Sequence, residues 1–259
     1  MFGEGEKMFF RVIIPTYDRN IEEAVNSVLS QTFNDYVLIV SHDDARAAVI
    51  EEKGIINNRI DVYSKERRYN GGNRNYAMTF EKDSLYTLFL DDDDIFINKD
   101  LLQKLHDFIE EHGRPDLIRL PYQKKYINED RIVHKGFKGE TDIEKITEST
   151  KVAPWTKCVK SNLLVPFPEN TLFEDVVQHI KQCDIAETTA VYPDAVVQWR
   201  IHDGQASKSN SLKWRSSRWR IIADLMDLEL DKPYTKRKRE DKLAAAKRQL
   251  FIDWERGDD

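Results

Sequence analysis

The sequence has little cysteine and no long hydrophobic run. Its two cysteines, Cys158 and Cys183, lack a CxxC spacing, so neither a disulfide framework nor a cysteine-rich zinc site is indicated. No apolar segment approaches the ~20 residues of a membrane span, and the N-terminus lacks the apolar core of a signal peptide. These absences predict a protein of the reducing cytoplasm.

The sequence also lacks an excess of positive charge. The formal net charge is -6, which argues against nucleic acid as a partner because phosphate binding requires a positive field. Hydrophobic residues make up 40% and charged residues 33% of the chain, as in ordinary globular proteins. A chain of 259 residues is long enough for one α/β domain, alone or with an appendage.

Strand and helix patterns alternate in the first hundred residues. Residues 9–15 have the composition of a buried strand, and the following apolar positions recur at helical spacing. Further strands are predicted at 36–40, 60–64 and 85–90, and further helices at 45–53 and at 75–81 after Gly71-Gly72. This alternation predicts a mostly parallel sheet flanked by helices, with ligands at the carboxyl ends of the strands.

The second half of the chain has a different pattern. We expect a helix at 101–109, long strands at 117–127 and 191–201, a polar, loop-rich segment at 128–150, and helices from 212 onward. Thr171 and Glu174 have the spacing of a capping box, which places Asp175 in the first turn of a helix. We therefore expect a main domain at 1–211 and a helical C-terminal appendage at 212–259.

Four consecutive aspartates at 91–94 follow the apolar strand at 85–90. Each added anion makes it harder to keep its neighbours ionised, and a hard divalent cation relieves that repulsion. Mg²⁺ or Mn²⁺ holding a diphosphate fits this run best. The alternative is an acidic turn at a strand end, where aspartate is common. Polar clusters also follow two other strands, at 16–18 and at 42–44.

Several strings of the sequence, taken in order, resemble family-two glycosyltransferases of the GT-A fold. The strings are Val12-Ile13-Ile14-Pro15-Thr16-Tyr17-Asp18-Arg19, Ser27-Val28-Leu29-Ser30-Gln31-Thr32-Phe33, Arg74-Asn75, Phe89-Leu90-Asp91-Asp92-Asp93-Asp94, Glu174-Asp175 and Trp199-Arg200-Ile201-His202-Asp203. The resemblance covers roughly residues 9–207, and its strength lies in order and spacing together. The sequence departs from it at 41–45, where the family usually has Asp-Asp-Gly-Ser.

The resemblance implies a nucleotide-diphosphate sugar donor, with a UDP-sugar as the expected class, and Mn²⁺ or Mg²⁺ on its phosphates. The last aspartate of the family motif is the main metal ligand, which assigns that role to Asp93. Since side chains alternate along a strand, Asp91 is expected to join Asp93 while Asp92 faces the donor. His202 is a further metal candidate, and its alternative is a structural loop histidine.

Candidate donor contacts lie at the strand ends. Tyr17 offers an aromatic face to the nucleobase, and Arg74 resembles the family arginine near the base and phosphates. Asp43 or Asp44 can accept from a base N–H or a ribose hydroxyl. The full set of expected donor contacts is Pro15, Thr16, Tyr17, Asp43, Asp44, Arg74, Asp91 and Asp92.

The acceptor hydroxyl needs a general base as it attacks the anomeric carbon. The resemblance makes Asp175 the candidate, and the N-terminus of a helix would keep its carboxylate ionised. The alternative for Asp175 is simple complementation of the helix dipole, and Glu174 is expected to serve the capping box while remaining a second catalytic candidate. Direct attack opposite the leaving group predicts inversion of the anomeric centre, and retention, which requires a different geometry, stays open as the alternative.

The expected acceptor is a glycan or a lipid-linked saccharide. The basic run at 236–239 suits a solvated helix face, with peripheral contact at the anionic inner membrane face as the alternative. Apolar stripes in the C-terminal helices are expected to face the main domain or a second copy of the chain, in a homodimer. Two other functions stay open: a nucleotidyltransferase, although its Gly-rich phosphate loop is absent, and a non-catalytic nucleotide-sugar-binding module.

Overall fold

The computed structural model describes residues 7–17, 19–43, 55–56, 59–63, 69–81, 83–135, 142–148, 152–169, 171, 173–202 and 212–255. The helix expected at 45–53 and the donor contact expected at Asp44 lie outside these residues. The described elements form a large and a small β-sheet flanked by helices.

The large sheet has eight strands in the order β11-β7-β10-β5-β1-β2-β4-β3. Their bounds are β1 Phe10–Thr16, β2 Tyr36–His42, β3 Ile55–Ile56, β4 Arg59–Tyr63, β5 Tyr86–Phe89, β7 Leu117–Arg119, β10 Lys157–Lys160 and β11 Thr189–Val191. Strand β1 pairs in parallel with both β2 and β5, so the carboxyl ends of these three strands lie at one edge. Strand β10 runs antiparallel to both its neighbours, which makes the sheet mixed.

The centre of the large sheet is covered on both faces, which is why β1 is buried along its whole length. Val12 and Ile14 pack with helices α1 (Glu22–Leu29) and α3 (Leu101–Glu111), whereas Ile13 packs on the other face with Ala77 of helix α2 (Tyr69–Met78). The helices before residue 212 are α1 Glu22–Leu29, α2 Tyr69–Met78, α3 Leu101–Glu111, α4 Ile143–Glu148 and α5 Glu174–Ile185.

A smaller four-stranded sheet has the order β6-β12-β8-β9. Its strands are β6 Ile95–Phe96, β8 Tyr122–Tyr126, β9 Arg131–Lys135 and β12 Val197–Ile201. The single strands predicted at 117–127 and 191–201 were therefore wrong, because each is divided between the two sheets. Pro121 and Pro193 lie in the breaks, and proline interrupts a strand because it has no N–H for the ladder. The segment expected to be loop-rich contains β9 and α4.

Helix α2 begins at Tyr69, earlier than predicted, and so contains the Gly71-Gly72 pair. A Cβ atom on Gly71 would lie 2.1 Å from the carbonyl oxygen of Pro168 and 3.3 Å from Cβ of Glu174. Glycine at this position lets α2 approach the segment that leads into α5. Gly71 therefore serves close helix packing, and the Gly71-Gly72 pair lies within the helix and not before it.

Two long helices, α6 Leu212–Met226 and α7 Pro233–Glu255, close the chain. Ile221 and Leu225 of α6 pack with Val177 and Ile180 of α5, so the apolar stripe of α6 faces the part of the chain that precedes residue 212, one of its two expected partners. Among the described helices, none combines the length and the hydropathy needed to cross a bilayer.

The basic run on α7 is less solvated than predicted. Lys236 and Arg237 are exposed as expected, but Arg237 forms ion pairs with Glu144 and Glu148 of α4, at 2.5 and 2.6 Å. The prediction was wrong for Lys238, which is buried and donates from Nζ to the carbonyl oxygen of Glu148 at 2.8 Å. Arg237 and Lys238 of this run therefore bind α7 to α4.

Candidate active site

The four aspartates form a tight turn directly after β5, at the edge where the carboxyl ends of β1, β2 and β5 meet. The backbone N–H of Asp94 donates to the carbonyl oxygen of Asp91 at 3.1 Å. One carboxylate oxygen from each of Asp91, Asp93 and Asp94 lies within 4.8 Å of the others. Three hard oxygen donors at this spacing fit Mg²⁺ or Mn²⁺.

Asp94 is a member of this cluster that the sequence prediction missed. Strand alternation selected Asp91 and Asp93, but a turn brings its last residue back towards its first. Asp92 points away from the cluster, as expected, and its Oδ2 accepts a hydrogen bond from Thr16 Oγ1 at 2.8 Å. Burial raises the pKa of Asp92 to about 6, while Arg19 and the Thr16 hydroxyl act in the opposite direction.

Two cationic or titratable side chains meet on Asp93. Nη1 of Arg19 lies 2.6 Å from Asp93 Oδ2, and Nε2 of His202 lies 3.1 Å from the same oxygen. The structure thus brings His202 to the acidic turn, as predicted. Arg19 was missed as a site residue, although it belongs to the first string of the family resemblance.

Arg200 also joins the small sheet to the acidic turn. Its backbone N–H donates to Asp94 Oδ1 at 2.8 Å, and its Nε donates to the carbonyl oxygen of Asp93 at 2.5 Å. Because side chains alternate along β12, Arg200 and His202 point to the turn while Trp199 packs on the opposite side against Trp155. Sequence reasoning had named Arg200 only within a matching string.

Asp91 is held on both carboxylate oxygens. Nη2 of Arg74 donates to Oδ1 at 2.9 Å, and Nε1 of Trp155 donates to Oδ2 at 3.1 Å. Trp155 is only 2% exposed, so it is an anchor for Asp91 and not a stacking surface for a sugar. Each carboxylate oxygen retains a lone pair that can face a cation.

Arg74 also reaches the first residue of α5. Its Nη1 donates to Oε1 of Glu174 at 2.8 Å, and both side chains are buried. Burial raises the pKa of Glu174, with the charge of Arg74 opposing that rise. Arg74, predicted as a donor contact, thus connects the acidic turn to the helix that carries Asp175.

The predicted capping box is wrong. Helix α5 begins at Glu174, its N-cap is Phe173, and no side-chain capping bond is made there. The hydroxyl of Thr171 is buried and makes no hydrogen bond to any described residue. The carboxylate of Glu174 instead compensates the buried guanidinium of Arg74, which needs an anion more than the helix end needs a cap.

Asp175 occupies the first turn of α5, as predicted, and is partly exposed. Lys157 of β10 lies close enough for its charge to interact with that of Asp175. Burial lowers the pKa of Lys157 to about 7, and Arg119 contributes to the same shift. Glu174 is buried and Asp175 is partly exposed, so Asp175 is the more accessible of the two acidic residues that begin α5.

The residues expected to contact the donor differ in how exposed they are. Tyr17 is 39% exposed just beyond β1, where its ring is accessible. Asp43 is buried, and its Oδ2 accepts a hydrogen bond from the backbone N–H of Tyr69 at 2.7 Å. Asp43 therefore stabilises the start of α2, a structural function that sequence reasoning missed. Pro15 and Thr16, the other two expected contacts, are buried at the end of β1.

Residues 11–153 match the model of the family described as "Glycosyl transferase family 2". The chain belongs to glycosyltransferase family 2. A search of curated protein sequences found no significant match. The family assignment confirms that the protein is a glycosyltransferase, as the ordered strings predicted.

Solved structures give the same fold for this glycosyltransferase. It is similar to residues 1–349 of TarS from S. aureus, solved with UDP-GlcNAc, at 23% identity and a TM-score of 0.69, over 91% of this chain and 72% of that one. It is also similar to the mannosyltransferase PcManGT from Pyrobaculum calidifontis, solved with GDP-Man and Mn²⁺, at 15% identity and a TM-score of 0.58, over 96% of this chain and 76% of that one. These similarities confirm the GT-A fold.

Proposed function

We propose that this glycosyltransferase transfers a sugar from a nucleotide-diphosphate donor, with a UDP-sugar as the first class to test, to a glycan or a lipid-linked saccharide. The observation that carries the proposal is the cluster of Asp91, Asp93 and Asp94, whose oxygens lie within 4.8 Å of one another at the carboxyl edge of β1, β2 and β5. In open α/β sheets, ligands bind at this edge.

We further propose that the transfer depends on Mn²⁺ or Mg²⁺. Asp93 and Asp94 would hold the ion together with Asp91, and His202 lies beside Asp93. When bound, the ion would stabilise the negative charge that develops on the leaving diphosphate. Mn²⁺ is present with GDP-Man in the similar PcManGT structure, which supports this assignment.

On the donor side, we propose that Tyr17 stacks on the nucleobase and that Asp92 faces the donor ribose or sugar. Arg19 is added to this set, because its guanidinium is held at the acidic turn by Asp92 and Asp93. A guanidinium in this place complements the charge of a diphosphate. Arg74 would act indirectly, by fixing the orientation of Asp91.

Asp175 is proposed as the general base that takes the proton of the acceptor hydroxyl. It is partly exposed, whereas Glu174 is buried and bound to Arg74. The dipole of α5 favours the ionised form of Asp175, which can accept a proton. Attack from the side of Asp175, opposite the diphosphate, would invert the anomeric centre. We propose residues 1–211 as the catalytic domain and 212–259 as its appendage.

A thermal-unfolding screen tests this function. UDP-sugars and GDP-sugars are added with Mn²⁺, with Mg²⁺ or with EDTA, and nucleotide release is followed in parallel. A donor at a hundred times its Kd should stabilise the protein by about 2.7 kcal/mol, with metal present and not with EDTA. Slow, metal-dependent release of nucleoside diphosphate should accompany that stabilisation.

The same screen separates the alternatives. A binding module would be stabilised by a nucleotide sugar and would release no nucleotide. A nucleotidyltransferase would release pyrophosphate from a nucleoside triphosphate and a sugar phosphate. If no nucleotide sugar stabilises the protein with either metal, the proposed function is wrong.

A further inference from the structure

Trp155 is a buried residue that contacts the acidic turn without carrying a charge. Its Nε1 donates to Oδ2 of Asp91 at 3.1 Å, and only 2% of the residue is exposed. The other carboxylate oxygen of Asp91 accepts from the guanidinium of Arg74 at 2.9 Å. Asp91 therefore has one neutral donor and one cationic donor, and the two can act differently on an ion at the turn.

The antiparallel pairing of β10 with β5 explains why Trp155 lies at this turn. Cys158 of β10 lies opposite Leu88 of β5. In an antiparallel pair, a step backwards on one strand corresponds to a step forwards on the other. Trp155 is three positions before Cys158 and Asp91 is three positions after Leu88, so the same register directs Trp155 towards Asp91. The backbone of the large sheet thus determines the contact.

Two aromatic side chains of the small sheet hold the ring of Trp155. Tyr122 of β8 packs edge to face against it with ring centroids 5.1 Å apart, and the ring of Trp199 of β12 lies 6.1 Å away. A side chain packed in this way has few rotamers open to it. The N–H of Trp155 is therefore directed at Asp91 before an ion binds, and binding does not have to order it.

A neutral donor suits a carboxylate that has to bind a cation. A guanidinium beside Asp91 offsets part of its negative charge and repels an incoming divalent ion, because charges of the same sign repel. The indole of Trp155 has an N–H donor and no net charge, so it orients the carboxylate and leaves its charge available. Groups that orient metal-binding side chains in this way typically change metal affinity by about 10- to 100-fold when they are mutated.

We propose that Trp155 is a positioning residue that raises the affinity of the acidic turn for a divalent cation by holding Asp91 through its indole N–H. The inference rests on the metal site of the proposed function and adds a residue that contacts neither the ion nor the donor. Because Trp155 acts through Asp91, its replacement weakens the site without removing a ligand. Saturating Mn²⁺ should then restore nucleotide release to nearly the wild-type rate.

Calorimetric titration of the full chain with Mn²⁺, with and without UDP, tests the inference. Trp155→Phe keeps an aromatic ring in the core and removes the N–H, so it should bind Mn²⁺ about 10- to 100-fold more weakly. Trp219→Phe makes the same replacement at an exposed position of α6 and should bind like the wild type. Leu105→Ala creates a cavity in the core cluster that contains Trp155. It should lose stability and keep its Mn²⁺ affinity, which separates positioning from stability.

A double-mutant cycle shows whether the effect passes through Asp91. Asp91→Asn alone should weaken Mn²⁺ binding, because it removes the charge of a ligand. In that background, Trp155→Phe should weaken binding by a further factor of about two at most, since residues that act through one contact are not additive. A full additional loss in the double variant would show that Trp155 acts by another route and would overturn the inference.

A measurement on the wild type keeps the inference testable if Trp155→Phe does not fold. The chain has five tryptophans, so its NMR spectrum contains five indole N–H resonances, and Trp→Phe variants at the other four positions assign them. Titration with Mg²⁺ should shift the resonance of Trp155, because an ion on Asp91 polarises the acceptor of its hydrogen bond. The resonance of Trp219 should stay where it is.

The possible failures are distinguishable. If Trp155→Phe binds Mn²⁺ as tightly as the wild type, or if Mg²⁺ binds and leaves the Trp155 resonance unshifted, this inference is wrong and the metal site stands. If the wild type binds neither Mn²⁺ nor Mg²⁺, with or without UDP, the metal site of the proposed function is wrong and the inference fails with it.

Discussion

Arg74 and Glu174 are 100 residues apart in the sequence, yet Nη1 of Arg74 and Oε1 of Glu174 are 2.8 Å apart in a buried ion pair. The same guanidinium binds Asp91 at 2.9 Å. Gly71, one turn earlier on α2, allows the backbone of this helix to approach Pro168 and Glu174. The acidic turn and the first turn of α5 are thereby held by one side chain of α2.

Removal of the Arg74 charge should strongly destabilise the fold. Arg74→Met leaves the carboxylates of Asp91 and Glu174 without their shared cation, and breaking a buried ion pair in this way costs about 3–5 kcal/mol. Arg19→Met removes a partly exposed guanidinium that binds Asp92 and Asp93 and should cost at most about 1 kcal/mol. Urea unfolding of the two variants measures both values. Equal losses would show that Arg74 has no special structural function.

The two acidic residues that begin α5 should respond differently to neutralisation. Asp175→Asn should lower the transfer rate by about 10²-fold or more, with little change in donor affinity, because it removes the proposed general base. Glu174→Gln retains an oxygen acceptor for Arg74, and burial already favours the neutral form of Glu174, so we expect a much smaller loss. Initial rates with a donor and acceptor, together with donor-induced thermal shifts, measure both effects. An inactive Glu174→Gln beside an active Asp175→Asn would move the base to Glu174.

The metal assignment predicts the behaviour of Asp93→Ala. This variant should lose the stabilisation that nucleotide and Mn²⁺ give together, because the cluster loses a carboxylate ligand. Its stability without metal should change by only about 1 kcal/mol, since the Arg19–Asp93 pair is partly exposed. Asp107→Ala, an exposed carboxylate on α3, is the control and should respond to metal like the wild type. Unchanged metal-dependent binding by Asp93→Ala would contradict the assignment.

Local patterns predicted most of the strands and the position of the aspartate run after β5, because those features depend on neighbouring residues. The apolar run of β1 and the aspartates after β5 are visible in short windows of the sequence. The breaks at Pro121 and Pro193 had a readable signal, since proline cannot continue a ladder. These two prolines are therefore enough to predict a break in each of the strands expected at 117–127 and 191–201.

Long-range pairing explains the remaining errors. The capping-box spacing of Thr171 and Glu174 is a local pattern, but the partner of Glu174 is Arg74, which no window around α5 contains. The hydrogen bond from the backbone of Tyr69 to the carboxylate of Asp43 was missed for the same reason. Asp94 joins the cluster through the closure of a turn. Each of these contacts depends on how separate elements meet and not on the residues beside them.

The buried amine of Lys157 predicts an unusual dependence of stability on pH. Its Nζ donates to the carbonyl oxygen of Val152 at 2.9 Å, and burial lowers its pKa to about 7. Between that value and the ordinary lysine pKa of about 10.4, the unfolded chain binds a proton that the folded protein does not. The free energy of unfolding must then rise with pH in this window and fall as pH decreases through about 7.

Lys157→Met keeps a long side chain without the amine, so it isolates this contribution. The wild type should gain stability over Lys157→Met as pH rises from about 7 to about 10, by on the order of a few kcal/mol. Urea unfolding at a series of pH values measures the difference. Lys181→Met, at an exposed position of α5, corrects for general effects of charge removal. A difference between wild type and Lys157→Met that does not change with pH would show that the Lys157 amine is not desolvated.

The contact between α6 and α5 predicts opposite results for two adjacent residues. Leu225 is 1% exposed and packs with Val177 and Ile180, whereas Met226 is 60% exposed. Leu225→Ala should cost about 2–5 kcal/mol of unfolding free energy because it leaves a cavity, while Met226→Ala should stay within about 0.5 kcal/mol of the wild type. Thermal and urea unfolding measure both.

Deletion of residues 212–259 removes the whole contact between α6 and α5. It uncovers Val177 and Ile180 on the helix that begins with Glu174 and Asp175. An apolar patch of that kind on a soluble domain promotes association. The shortened chain should therefore aggregate on size exclusion or unfold at a lower temperature than the full chain. A monomeric truncation as stable as the full chain would show that α6 and α7 contribute nothing to the stability of residues 1–211, and Leu225→Ala would then have to be harmless as well.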